Sequence, residues 1–183
     1  MSDFFSPKGV FTPKHLAAMA MLLGIRTILN LPFLTIYLGP SFKLITFAYI
    51  TDALCAMLFG PIAGLVFGFA GDAIGFLASS GAGGAYFPGF ALSEMITCLI
   101  FACFFYRHTI TVPRVICAWL INLAAVLLGL NMVWLILMYG MDAGSVFTAA
   151  RFVNNLVQAP VHIVILWLLL PRLGKLAERH RIL

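Results

Sequence analysis

Five polar side chains recur along one stretch of an otherwise apolar sequence: Arg151, Asn154, Asn155, Gln158 and His162. Their i, i+3/i+4, i+7 and i+11 spacing gathers them within about 100° of one helical face. Such a face is either a hydrogen-bonding ladder to a neighbouring helix or the polar wall of a pocket. Two amides, a glutamine and a guanidinium within two turns favour the wall, and Pro160 frees a backbone carbonyl nearby. His162 taken alone reads as a buried, satisfied core histidine. A second stripe holds Phe90, Glu94, Thr97 and Phe101, and a third Asn131, Trp134 and Met138, at the same depth. Carboxylate, amides and aromatic rings gathered at one level suit a flat, hydrogen-bonding heterocycle.

Four charges, Arg26, Asp52, Asp72 and Glu94, lie inside apolar runs. There each costs about 2.5–3.5 kcal/mol on insertion scales, so each needs a reason. One reason is internal ion pairing, such as Arg26 with Asp72, that fixes helix packing. A small membrane enzyme using Asp52, Asp72 and Glu94 is the competing reading. Against it, the three acids fall on three helices at different depths and form no acid-pair motif. No phosphate loop, HExxH zinc motif or GxSxG elbow is present. The chain is therefore expected not to be an enzyme and to need no cofactor and no metal. Cys55, Cys98, Cys103 and Cys117 form no CxxC pair and read as buried small hydrophobes.

The elements that hold these residues follow from composition. Of 183 residues, 63% are hydrophobic and 9% charged, against about 25% charged in a soluble domain. That excludes a soluble enzyme, a disordered chain, a disulfide scaffold and a two-domain protein. At about 20 residues per span, six spans fit with room for loops. The expected architecture is an all-α membrane protein, a bundle of six transmembrane helices forming one domain over residues 1–183. Apolar runs and Gly/Pro punctuation place the spans at about His15–Leu31, Lys43–Phe59, Ile62–Ser79, Phe90–Tyr106, Val112–Tyr139 and Phe147–Leu170. Gly60-Pro61 makes the tight break between the second and third.

Charge sets the orientation. Lys8, Lys14, Arg107, Arg114, Arg172, Lys175, Arg179 and Arg181 fall on one side, and only Lys43 and Arg151 on the other. By the positive-inside rule both termini are cytoplasmic, in a multi-pass protein of the cell membrane. The outside receives the loops Pro32–Phe42, Ser80–Gly89 and Gly140–Val146. No removable signal peptide is seen behind the first apolar run. The net charge of +5 comes from helix ends and not from a basic stripe interleaved with aromatics, so nucleic acid is not an expected partner. Gly60, Gly64 and Gly68, then Gly71, Gly75 and Ser79, repeat every fourth residue and allow close helix packing. Ala20 and Gly24 repeat likewise in the first span, whose small face is free to meet another protein.

The stretch Met57-Leu-Phe-Gly-Pro-Ile-Ala-Gly64, followed by Gly68 and Gly71-Asp72, resembles the second and third helices of a known superfamily. These are the substrate-binding S components of energy-coupling factor (ECF) vitamin transporters. Ala85-Tyr-Phe-Pro-Gly-Phe-Ala-Leu-Ser93 is similar to the folate-specific branch. The resemblance, over roughly residues 15–172, implies high-affinity binding of folate or a related vitamin from outside the cell. It further implies partnership with a membrane coupling subunit (T component) and two ATPase subunits in the lipid bilayer. Ala20 and Gly24 match the small-residue motif that contacts the coupling subunit.

Residue chemistry agrees with folate. Glu94, Asn154, Asn155 and Gln158 suit a pterin edge, and Tyr86, Phe87, Phe90 and Trp134 offer faces to its rings. Lys43 and Arg151 sit at the rim, where a glutamate tail would lie. Riboflavin and thiamine remain the alternative vitamins within the superfamily. Riboflavin has no carboxylate for such a basic rim.

Overall fold

The structure, a computed structural model, describes residues 12–31, 36–37, 43–45, 47–78, 86–140 and 149–179. For residues 36–37, 43–45, 139, 149–156 and 178 only the backbone is described. Helix α1 spans Pro13–Leu29. Thr12 Oγ1 accepts the His15 N–H at 3.3 Å, and Pro13 needs no such partner in the first turn. Two short strands follow, β1 (Ile36–Tyr37) and β2 (Lys43–Ile45), antiparallel with Tyr37 opposite Lys43. Lys43 is therefore not the start of a helix. β-Branched and large apolar residues around it suit a ribbon, and the helix begins at Ala48.

The long helix α2, Ala48–Ala78, merges the second and third expected spans and bends at Gly60. There φ is 85°, a conformation natural to glycine, and Pro61 supplies no N–H to bridge the bend. The bend also admits the Tyr106 ring, which would lie 3.1 Å from a Cβ at position 60. Helix α3 covers Pro88–Phe105. A continuous rod follows: α4 (Val112–Asn122), a π-helical segment (Leu123–Leu130) and α5 (Asn131–Tyr139), capped by Gly140 at φ 59°. Helix α6 runs Ala149–Arg179. It continues past Leu170, where the sequence suggests an end, because Lys and Arg are good helix formers that emerge into water.

Among the described residues, four helical stretches are long and apolar enough to cross a membrane: Ala48–Ala78, Pro88–Phe105, Val112–Met138 and Val157–Ala177. Two apolar cores hold the helices together. Met19, Leu54, Phe59, Phe67 and Cys98 join α1, α2 and α3. Phe101, Phe105, Val115, Leu166 and Leu170 join α3, α4 and α6. The α2–α3 seam is close enough that a Cβ at Gly68 would stand 2.8 Å from the Glu94 carbonyl oxygen. Cys55 and Cys98 are buried as expected, but Cys103 and Cys117 are exposed on outward helix faces. An apolar sequence run says a residue is in a helix, and not which side of the helix it occupies.

Candidate functional site

Arg26 lies in the last turn of α1 and is 4% exposed. Its Nε donates to Asp52 Oδ1 at 2.6 Å and its Nη2 to Glu94 Oε2 at 2.9 Å. Asp52 belongs to α2 and Glu94 to α3, so one planar guanidinium ties three helices in two directions. Helix α2 makes room for it with Gly71, where a Cβ would stand 2.7 Å from Arg26 Cζ.

The anticipated Arg26–Asp72 pair is not made. Successive helical residues point about 100° apart, so with Gly71 turned to Arg26, Asp72 turns elsewhere. It lies near the Tyr86 hydroxyl, and its Oδ2 has no hydrogen-bond partner among the described residues. Asp52 is buried against the guanidinium, whereas the Glu94 side chain stays 37% exposed and able to accept another donor.

Beside this charge triad opens a cavity of about 170 Å³. It is lined by Arg26, Asp52 and Glu94 of the triad and by Asn122, Asn131, Gln158 and His162. Phe101 and Trp119 add flat apolar surfaces. Thr97 Oγ1 donates to Asn122 Oδ1 at 2.9 Å, and Trp119 Nε1 donates to His162 Nδ1 at 3.4 Å. In a neutral ring that second bond leaves the proton on Nε2. Among the described residues, three that line the cavity carry a buried polar atom with no hydrogen-bond partner: Tyr49 Oη, Asn131 Oδ1 and His162 Nε2. Each such atom costs about 1–3 kcal/mol unless something fills the cavity and bonds to it.

The π-helical segment explains how Asn122 and Asn131 meet there. Nine residues of α-helix at 3.6 per turn would leave them on opposite faces. The i→i+5 winding of Leu123–Leu130 delays the rotation, so that both line the cavity.

Residues 14–170 match the family model described as "ECF transporter, substrate-specific component". The chain belongs to that family. Among curated relatives, the folate transporter FolT of Clostridium novyi (strain NT) is 33% identical over 123 residues, 67% of this chain and 70% of that protein. A folate transporter FolT of Leuconostoc mesenteroides is 28% identical over 167 residues, covering 86% of this chain and 84% of the relative. In three dimensions the chain superposes on the crystal structure of FolT bound with folic acid with a TM-score of 0.75. The identity there is 28%, over 86% of this chain and 91% of the other. As a substrate-specific component of a transporter, the protein is not an enzyme.

Within this S component the anticipated site residues fall into three groups. Glu94 and Gln158 line the cavity. Phe87, Phe90 and Trp134 pack on one another beside it, with Phe87 5.7 Å from the Trp134 ring and 6.0 Å from Phe90. Trp134 Nε1 donates to Ser93 Oγ at 3.0 Å, and Tyr86 packs 5.2 Å from Phe76. These rings form a cluster at the same end of the bundle, but the cavity's own aromatic lining comes from Tyr49, Phe101 and Trp119. Arg151, Asn154 and Asn155 lie on α6 and Lys43 on β2; their side chains are outside the described set.

Tyr49, Trp119 and Asn122 line the cavity without having been singled out by the sequence. Arg26 and Asp52 carried a signal, as charges within apolar runs, but pointed equally to packing. His162 is buried as anticipated yet not satisfied, since Nε2 is left over. Ala20 and Gly24 are exposed on α1, and no described residue lies within 4 Å of a Cβ built at Gly24.

Proposed function

We propose that this S component captures folate from outside the cell and delivers it to an ATP-driven ECF uptake complex. The observation that carries the reading is the cavity's set of unpartnered donors and acceptors, Tyr49 Oη, Asn131 Oδ1 and His162 Nε2. It stands in a chain similar to proteins named folate transporter and to a structure holding folic acid. At about 170 Å³ the cavity is smaller than the roughly 300–1,000 Å³ that whole ligands occupy. It therefore takes the pterin head, whose edge bonds Glu94, Gln158, Asn154 and Asn155. The aminobenzoyl ring runs along Tyr86, Phe87, Phe90 and Trp134. The glutamate tail ends between Lys43 and Arg151 at the watery rim.

The topology that goes with this function has six spans: α1, the two limbs of α2, α3, the α4–α5 rod and α6. The excess of Lys and Arg at one end places both termini in the cytoplasm. Ala20 and Gly24 dock the T component, which brings two ATPase subunits. Alone, the chain binds folate without moving it, since it carries no nucleotide-binding motif.

Tryptophan quenching on the purified chain tests the assignment with folate, a pterin analogue lacking the glutamate, riboflavin and thiamine. Folate should bind tightest. Arg151→Ala should weaken folate about tenfold to hundredfold, the range of a charge-assisted hydrogen bond at roughly 1.5–3 kcal/mol. The tailless analogue should be unaffected. Tighter binding of riboflavin or thiamine would overturn the choice of vitamin. ATP-driven uptake by vesicles holding this protein alone would overturn the division of labour.

A further inference from the structure

At the opposite end of the bundle a second cavity, of about 720 Å³, lies between the α3–α4 turn and the last third of α6. This volume is within the roughly 300–1,000 Å³ typical of ligand sites. Its wall divides by chemistry. Arg107, His108 and Lys175 line one part, and Met57, Leu58 and Leu170 the other. The turn that carries the polar part is firmly built. Arg107 sits at φ 57°, a left-handed conformation uncommon outside glycine, and its guanidinium lies 5.2 Å over the Tyr106 ring. Tyr106 in turn fills the Gly60 bend, and Arg114 Nη1 donates to the Thr109 carbonyl at 2.7 Å.

The charge at this end is one-sided. Among the described residues neither Arg107 nor Lys175 makes an ion pair. Lys14, Arg114, Arg172 and Arg179 belong to the same end of the helices, and no described side chain there is acidic. Glu178, one turn beyond Lys175, is described by its backbone alone. Cations beside an apolar floor at a helix-bundle end form a receptor for a phosphate group attached to something greasy. We propose that this cavity binds a phosphate-ester anion, the headgroup of an anionic phospholipid from the adjoining leaflet or a soluble phosphoester of the same chemistry. Arg107 and Lys175 hold the phosphate; Met57 and Leu170 meet the glycerol and upper acyl carbons. The inference uses only the geometry of this end and is independent of which vitamin binds at the other.

Nanodiscs of phosphatidylcholine, with and without phosphatidylglycerol, supply the probe, and native mass spectrometry counts lipid retained by the full chain. Wild type should keep phosphatidylglycerol in preference to phosphatidylcholine. Arg107→Asn with Lys175→Gln should lower that retention about tenfold or more, as loss of two cations facing one anion requires. Asn is chosen because it tolerates the left-handed backbone. Lys175→Gln alone, on an exposed helical face, should give a smaller loss and covers the case in which the pair misfolds. Folate binding should be unchanged in both, which reports an intact bundle. Arg172→Gln with Arg179→Gln removes equal charge outside the cavity and should retain the lipid.

Competition with excess glycerol phosphate separates the sources. Displacement of the lipid assigns the site to the soluble phosphoester, and failure to displace assigns it to the lipid. Equal loss in both charge pairs, or no preference for phosphatidylglycerol, would overturn the proposal. So would unchanged lipid retention together with weaker capture of the coupling subunit, because the cavity would then belong to a protein contact.

Discussion

On one side of the cavity beside the Arg26 triad, α1, α2 and α3 meet at glycine-lined seams, and 61% of the most apolar window of α2 is buried. On the other side, the α4–α5 rod and α6 have only 17% of their windows buried, and Leu137 and Val164 lie open on their surfaces. The polar groups differ in the same sense. Arg26 holds both Asp52 and Glu94 within the packed side. Asn131 Oδ1 and His162 Nε2 on the open side have no partner among the described residues. The packed side thus holds geometry, while the open side holds unspent hydrogen-bonding capacity. Tyr49 joins them: its ring lies 3.9 Å from His162, and its hydroxyl is also unpartnered. A ligand that satisfies these atoms draws the two sides together, so binding and stability should be coupled through the open side.

The largest expected effect comes from breaking the packed side. Arg26→Met leaves Asp52 buried without its counter-charge, a loss of about 3–5 kcal/mol for a severed buried pair. Thermal unfolding in detergent should show a large drop, and folate binding should vanish with it. Adding Asp52→Leu and Glu94→Gln should restore much of the melting temperature without restoring binding. A wild-type melting curve for Arg26→Met would mean that the triad is not what holds these three helices.

How much of this was legible beforehand depended on which physical signal each residue carries. Helical periodicity placed Glu94, Thr97 and Phe101 on one stripe and Gln158 with His162 on another, and all five line the cavity. Gly60-Pro61 marked the bend, because that dipeptide combines a permissive φ with a missing donor. Partner choice is not legible: charge alone suggests Arg26 with Asp72, yet a side chain's direction depends on how each helix is rotated about its axis. Asn122 was missed for a deeper reason. The π-helical winding that brings it beside Asn131 runs through Leu-Ala-Ala-Val-Leu-Leu-Gly-Leu, an apolar stretch without any local mark of a register change. Tyr49 and Trp119 resemble ordinary core or belt aromatics until their neighbours are known.

A middle-sized effect should come from the atoms that bridge the sides. Tyr49→Phe deletes a hydroxyl that has no hydrogen-bond partner among the described residues. Removing it should raise the melting temperature of the unliganded protein, since an unsatisfied buried group costs about 1–3 kcal/mol. The same change should weaken folate by about three- to tenfold, because a typical net hydrogen bond contributes roughly 0.5–1.5 kcal/mol. Asn131→Leu should behave alike. The stabilising effect of folate on melting should shrink in both variants. If Tyr49→Phe lowers the stability of the unliganded protein instead, the hydroxyl is already satisfied and the contrast between the two sides is overstated.

The smallest effect on stability is expected at Gly24, and it separates packing glycines from a docking one. A side chain at Gly68 must displace the α3 backbone, since even a Cβ comes within 2.8 Å of the Glu94 carbonyl; Gly68→Leu should therefore abolish recovery of folded protein. At Gly24 no described residue lies within 4 Å of an added Cβ, and the position is exposed. Gly24→Leu should change stability by no more than about 0.5 kcal/mol, as for surface substitutions generally. It should also leave folate binding by the isolated chain intact. Uptake by the complete complex should nevertheless fall sharply, because a branched side chain holds a partner helix away from a surface that glycine lets it approach. Binding and uptake measured on the same Gly24→Leu preparation decide the matter. Loss of both would place Gly24 inside the bundle's own packing, and retention of both would move the docking face elsewhere on the chain.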